Sequence, residues 1–152
     1  MSEPDVTLDR RAEIALRNRR RKVESRERKL TMAVFGLLAY SAFGNSVGGI
    51  MQLLQDSPWD AGVAFALAAF YLLGVYRVWL KDDTRWWPVA LPAGLSIAWL
   101  LLVWWAIGKF LPIPLVLNVV LLVLVPLRAK ASAALAAVPN NSFKPNPLRG
   151  SA

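Results

Sequence analysis

The sequence predicts an all-α integral membrane protein, a four-helix bundle, and three observations support this. Four long apolar runs carry no charge, short loops separate them, and basic residues collect in alternate connecting segments. A spanning helix needs about 20 largely apolar residues, because the hydrocarbon layer is about 30 Å thick and each residue rises about 1.5 Å. Closed β-barrels also span membranes, but their strands alternate apolar and polar residues, unlike these runs.

The four runs differ in length. Residues 30–55 and 86–108 give runs of 26 and 23 residues without a charge, and residues 110–127 give 18. The second run, residues 61–76, reaches spanning length only if the guanidinium group of Arg77 returns to the interface along its apolar stem. Pro126 should mark the inner end of the fourth helix, with residues 131–137 adding a helical extension. We expect spans at about 31–54, 59–80, 87–107 and 110–127, in a membrane domain of residues 30–138.

Lysine and arginine predict the orientation. Residues 1–29 contain ten of them, and the counts on the two sides of the predicted membrane are 17 and 1, with Lys109 alone on one side. Basic residues stay on the cytoplasmic side during insertion. Six of the seven tryptophans also fall near predicted span ends, where the indole ring prefers the headgroup boundary. We therefore expect a bacterial inner-membrane protein with both termini in the cytoplasm.

The basic N-terminal arm, residues 1–29, should form an amphipathic, juxtamembrane helix that continues into the first span. Glutamate precedes arginine by four residues at positions 13 and 17 and at positions 24 and 28, which favours helix. Three interpretations stay open for its densest charge: a solvated arm that sets orientation, a surface that binds anionic lipid headgroups, or a contact with nucleic acid. The residues assigned to a lipid-headgroup contact are Arg19, Arg20, Arg21 and Lys22.

The C-terminal tail, residues 139–152, should be disordered, because three prolines and many polar residues deny it a helix. Its last thirteen residues, NNSFKPNPLRGSA, resemble a tail carried by many small bacterial reading frames. This resemblance implies nothing about activity and implies that the tail is expendable.

The residue types that the chain lacks exclude most membrane chemistry. It has no cysteine and no histidine, and no acidic or basic residue lies deep in a predicted span. Proton relays need intramembrane ionisable groups, haem needs axial ligands, and zinc needs thiolate or imidazole ligands. The serines within the spans have no buried base to activate them. We therefore expect no catalytic residue, no cofactor and no metal site, and hence not an enzyme.

Four polar residues fall near the span centres, one in each span: Asn45, Tyr71, Ser96 and Asn118. The first and fourth spans are antiparallel in the predicted topology, which would allow Asn45 and Asn118 to pair. Two interpretations stay open. The four residues either join the helices through hydrogen bonds, worth about 0.6–2 kcal/mol each in lipid, or form a polar constriction of a pore or a small-molecule site.

Small residues form a stripe on the first span. Gly44 and Gly48 make a GxxxG pair, and Ser41, Asn45 and Gly49 form the neighbouring row. Small side chains let two helix backbones approach closely in lipid. The stripe either packs within the bundle or presents a face to a partner membrane protein or a second copy of the chain.

Together these features predict a non-enzymatic membrane protein that acts through helix–helix and lipid contacts, such as an accessory or assembly subunit or an immunity-type protein. The alternative is a small channel or transporter, which would work as an oligomer because four short helices seldom enclose a path alone. The expected partners are the lipid bilayer and either a membrane protein or a second copy. Nucleic acid is not an expected partner.

Overall fold

The structure, a computed structural model, describes residues 5–81, 83–108 and 111–138. Over these residues the chain is all-α, and its helices are α1 (Asp5–Leu54), α2 (Pro58–Trp79), α3 (Trp87–Ile107) and α4 (Pro112–Ala136). Each of these four helices is long and apolar enough to cross a membrane. The predicted all-α class with four helices of spanning length is therefore confirmed. The tail predicted to be disordered lies outside the described residues.

Helix α1 is a single helix of 50 residues that contains both the basic arm and the first apolar run. At about 1.5 Å per residue it is about 75 Å long, more than twice the thickness of a hydrocarbon layer. In the arm, Arg17 donates to Glu13 at 2.6 Å, as its spacing predicts. Glu24 instead accepts from Arg20 at 2.8 Å, because basic residues lie four positions away on both sides of it and the earlier one is bound.

The helices form a ring in which α1 packs against α2, α2 against α3, α3 against α4, and α4 against α1. The most extensive of these contacts joins α1 and α2. We call the end that contains Thr31, the α2–α3 connection and Arg128 the basic end, and the other end the opposite end. The hydrophobic core runs between them and includes the fully buried side chains of Val34, Leu38, Val78 and Leu121.

Two glycines allow close helix contacts. A Cβ atom at Gly74 would lie 2.6 Å from the carbonyl oxygen of Pro88, so α2 approaches the start of α3 more closely than any side chain permits. A Cβ atom at Gly49 would lie 2.9 Å from the ring of Phe65, so the absence of a side chain at Gly49 leaves room for this ring between α1 and α2. Gly108 caps α3 with a positive φ of 71°, a left-handed conformation that glycine adopts without strain.

Helix α4 does not end at Pro126, as the sequence suggested, but continues through it to Ala136. A proline removes one backbone donor from a helix without preventing the helix from continuing beyond it. The following turns pack on the arm of α1, where Ser132 lies 3.5 Å from a carboxylate oxygen of Glu27. The predicted extension is therefore part of α4 itself, paired with α1.

Candidate functional site

The centre of the bundle holds a group of buried polar side chains, one from each helix, which we call the central polar cluster. Tyr71 is 0% exposed, and the other members are at most 9% exposed. The Tyr71 hydroxyl group donates to Asn118 Oδ1. Asn118 Nδ2 donates to Ser96 Oγ at 3.1 Å and to the carbonyl oxygen of Pro114 at 2.8 Å. Ser41 is the fourth member and also neighbours the Tyr71 hydroxyl group.

The hydrogen bonds of Asn118 use its whole side chain. A primary amide has two N–H donors and one carbonyl oxygen, and here both donors and the oxygen have partners inside the bundle. Tyr71 reaches Asn118 across the ring, from α2 to α4, although these helices are not adjacent around it. The arrangement therefore joins non-neighbouring helices and leaves no amide proton of Asn118 for a ligand.

Three of the four residues predicted near the span centres come together, and Asn45 does not. Its amide nitrogen donates to the carbonyl oxygen of Ser41, one turn earlier in α1, at 2.8 Å. The predicted topology allowed Asn45 to pair with Asn118, but the hydrogen bonds of Asn118 go to Tyr71, Ser96 and Pro114. Ser41, which the sequence placed in the small-residue stripe, occupies the position in the central polar cluster that was expected for Asn45.

The residues of the small-residue stripe lie in different surroundings. Ser41 faces the bundle centre, and Gly49 packs against Phe65 of α2. Gly44 and Gly48 behave differently, because a Cβ atom at either would meet no atom of the described residues within 4 Å. We call the surface around these two glycines the open glycine face; Tyr40 and Phe43 beside it are 60% and 69% exposed.

A second buried polar group lies at the basic end, and its centre is Arg128, only 3% exposed. Arg128 Nε donates to Thr31 Oγ1 at 3.2 Å, and Arg128 Nη1 donates to the carbonyl oxygen of Asp83 at 2.8 Å. The Thr31 hydroxyl group in turn donates to Glu27 at 3.0 Å. These contacts join α4 to α1 and to the α2–α3 connection. The basic-end cluster consists of Glu27, Thr31, Asp83, Arg128 and Ser132.

Arg77 holds the other side of the α2–α3 connection. Its Nη1 atom lies 3.9 Å from Asp83 Oδ2, and its guanidinium carbon lies 5.4 Å from the centre of the Trp87 ring. Its carbonyl oxygen also accepts from the backbone N–H of Asp83 at 3.0 Å. Asp83 is thus fixed between two arginines, one at its carbonyl oxygen and one near its carboxylate.

The sequence did not identify Arg128 as a buried residue, because it was counted with the basic tail that follows the fourth run. The sequence nevertheless contained a signal that Arg128 lies on the inward face of its helix. Asn118, Leu121, Val125, Arg128 and Ser132 follow one another at spacings of three and four, the period of one helix face. Continuing that face past Pro126 places Arg128 and Ser132 toward α1.

The run of basic residues at 19–22 does not form one surface. Consecutive helical residues point about 100° apart, so four in a row surround the helix. Arg20 pairs with Glu24, and Arg21 lines an open depression on α1 together with Arg28 and Lys29. Lys22 lines a different depression, a groove between α1 and α4.

These features define the chain as an all-α protein with four helices of membrane-spanning length, held together by a neutral polar cluster at its centre and a charged one at its basic end. No protein-family model, curated protein or solved structure matches the chain. Within the part of the chain that the structure describes, no three His, Cys, Asp or Glu side chains are grouped as metal ligands would be.

Proposed function

We propose that this chain is a non-enzymatic multi-pass membrane protein that acts through contacts with another membrane protein or a second copy of itself, and with lipids. Its role would be that of an accessory or assembly subunit, or of an immunity-type protein. The open glycine face carries the proposal, because a GxxxG pair with free space above it can admit the backbone of another helix.

The different surroundings of the glycines support a role for the open glycine face in binding another helix. Gly49 and Gly74 are filled by neighbours within the chain, so the bundle already has the close contacts that it needs. Gly44 and Gly48 add nothing to those contacts. A helix of another chain that packs on them would gain van der Waals contact, which drives helix association in lipid where the hydrophobic effect does not.

The central polar cluster supports a structural role in the same way. A pore lining or a small-molecule site needs polar groups that a passing ion or a ligand can reach. Here Tyr71 and Asn118 bond to each other at 0% and 3% exposure. Hydrogen bonds of this kind hold helices together.

For the orientation, we propose that the basic end faces the cytoplasm of a bacterial cell, with both termini inside and the spans in the inner membrane. Lysine and arginine concentrate at this end. The chain has no cysteine, so single cysteines can report their side of the membrane. We expect a membrane-impermeant maleimide added to spheroplasts to label Gln55→Cys and not Ser25→Cys. Labelling of Ser25→Cys alone would reverse the proposed orientation.

The open glycine face is tested by Gly44→Leu and Gly48→Leu, with Gly36→Leu as the matched control. All three glycines lie in α1, and no atom of the described residues lies within 4 Å of a Cβ atom added at any of them, so each leucine side chain starts in open space. We expect the first two variants to lose the second copy or the co-purifying membrane protein that the native chain retains. The control should retain it, and all three should accumulate to the native level.

The measurement is the mass of the detergent-extracted assembly by native mass spectrometry, together with pull-down from native membranes. Retention of the partner in both glycine-face variants would refute the proposal, as would a native chain that is always a lone monomer. A reproducible, selective ion or solute flux through liposomes that contain only the purified chain would instead favour an oligomeric channel or transporter.

A further inference from the structure

A groove of about 330 Å³ lies beyond the membrane-spanning part of the bundle, between the arm of α1 and the last turns of α4. The two helices run antiparallel there, since Arg128 bonds to Thr31 and, one turn further along α4, Ser132 lies beside Glu27, one turn earlier in α1. The alanines of α4 make the groove possible, because their small side chains leave space against α1. Its lining residues are Lys22, Val23, Arg26, Leu127, Lys130, Ala131 and Ala134.

The chemistry of the groove is that of an anion site with an apolar floor. Lys22 and Arg26 come from successive turns of α1, and Lys130 faces them from α4, while no carboxylate of the described residues lines the groove. The arginines at positions 17 and 20 of the arm pair with nearby glutamates. By contrast, none of the three groove cations forms an ion pair with a described carboxylate. Their charge is therefore available to a ligand.

The position of the groove selects a lipid over a free anion. Arg26 is four residues outside the first uncharged run and Lys130 is three residues outside the fourth, which places them about 6 Å and about 4.5 Å along their helices from the ends of the runs. The headgroup layer on each side of a bilayer is about 5–8 Å thick. Leu127, the last residue of the fourth run, lines the same groove, so its apolar floor is continuous with the spanning part of α4.

We propose that this groove binds the headgroup of an anionic phospholipid from the leaflet at the basic end. Arg26 and Lys130 contact the phosphate, Lys22 reaches toward it from one turn further out along α1, and Val23, Leu127 and the alanines contact the first carbons of the lipid. The site rests on the proposed membrane function and gives its lipid contact a definite place. As the proposed lipid contact, this groove takes the place of the basic run at 19–22, of which only Lys22 lines the groove.

The test measures lipid retention by native mass spectrometry on the full chain in detergent, titrated with phosphatidylglycerol, with phosphatidylcholine and with inorganic phosphate. The groove variant is Lys22→Gln with Arg26→Gln and Lys130→Gln. The matched control, Arg11→Gln with Arg19→Gln and Arg28→Gln, removes the same charge from exposed positions outside the groove. A third variant, Ala134→Phe, fills the groove and keeps all three charges.

We expect the native chain to retain phosphatidylglycerol and not phosphatidylcholine. Loss of the three cations should weaken retention by a factor of up to about 100, at up to about five-fold for each exposed ion pair with the phosphate. Ala134→Phe should also weaken retention, while the control, which removes no phosphate contact, stays within a few-fold of native. Equal loss in the control triple would show general attraction to the arm and overturn the site. Displacement of the lipid by millimolar inorganic phosphate would identify a free-anion site instead.

The two proposals fail separately. The groove variant should keep the assembly mass of the native chain, because its substitutions lie outside the open glycine face. Native lipid retention in the groove variant refutes the lipid site and leaves the partner proposal to the glycine-face variants. Loss of assembly in those variants with lipid retention intact would support both sites as independent.

Discussion

The central polar cluster and the basic-end cluster both join helices through buried hydrogen bonds, but they use different groups. The central one consists of a phenol, an amide and two hydroxyl groups, all neutral. The basic-end one is built on the guanidinium group of Arg128, with the carboxylate of Glu27 reached through the hydroxyl group of Thr31. The hydrogen bonds of the first join α2, α3 and α4, with Ser41 of α1 packed beside them, whereas the second also holds a loop through the carbonyl oxygen of Asp83.

The distance between the clusters explains the difference. Arg128 follows Asn118 by ten residues in α4, and Thr31 precedes Ser41 by ten residues in α1, which is about 15 Å along each helix. Half the thickness of a hydrocarbon layer is also about 15 Å. In the proposed membrane position, with the central polar cluster at the bilayer midplane, the charged cluster would lie at the headgroup boundary. An ion is costly in hydrocarbon and tolerated at that boundary, while neutral polar groups can be satisfied inside the bundle.

The largest effect predicted from this comparison follows from Arg128→Gln. The substitution removes a buried charge and breaks the hydrogen bonds that Arg128 donates to the half-buried Thr31 hydroxyl group and to the carbonyl oxygen of the half-buried Asp83. We expect the free energy of unfolding to fall by about 3 kcal/mol. Equilibrium unfolding in mixed detergent micelles, followed by circular dichroism, measures the change.

The matched control for this prediction is Lys130→Gln. It makes the same change of charge two residues later in α4, at an exposed position, and in lipid-free detergent it should alter the free energy of unfolding by no more than about 0.5 kcal/mol. If both variants unfold alike, then the contacts of Arg128 add nothing to stability and the basic-end cluster is only a surface feature.

The positions of the helices follow from the sequence because an uncharged run is a property of one segment. Which side of each helix faces inward does not follow so easily, because lipid and core are equally apolar. Ser41 and Asn45 illustrate this. They lie one turn apart in α1, so their directions differ by only about 40°, and a small rotation of the helix decides which one joins the central polar cluster.

The burial of Arg128 was hard to predict from the sequence for a different reason. The orientation argument counts charges on each side of the membrane and carries no information about burial. Pro126 also suggested a helix end just before Arg128, which hid the spacing of three and four that continues from Asn118 to Ser132. That spacing was available in the sequence. The partner of the Arg128 guanidinium group was not, because it is a backbone carbonyl oxygen in a loop, which every residue type supplies.

A smaller effect should follow from Asn118→Leu at the centre, about 1–2 kcal/mol, because hydrogen bonds between helices in lipid contribute about 0.6 kcal/mol each on average. Asn45→Leu is the matched control. It makes the same substitution in α1, where the amide bonds to its own helix, so the free energy of unfolding should change by no more than about 0.5 kcal/mol.

A double variant tests the bond between Tyr71 and Asn118. Tyr71→Phe added to Asn118→Leu should lower the free energy of unfolding by less than Tyr71→Phe does alone, since the bond between the two side chains is lost only once. Equal losses in the Asn45 and Asn118 variants would show that an asparagine anywhere in a span stabilises the chain. The central polar cluster would then have no special part in joining the helices.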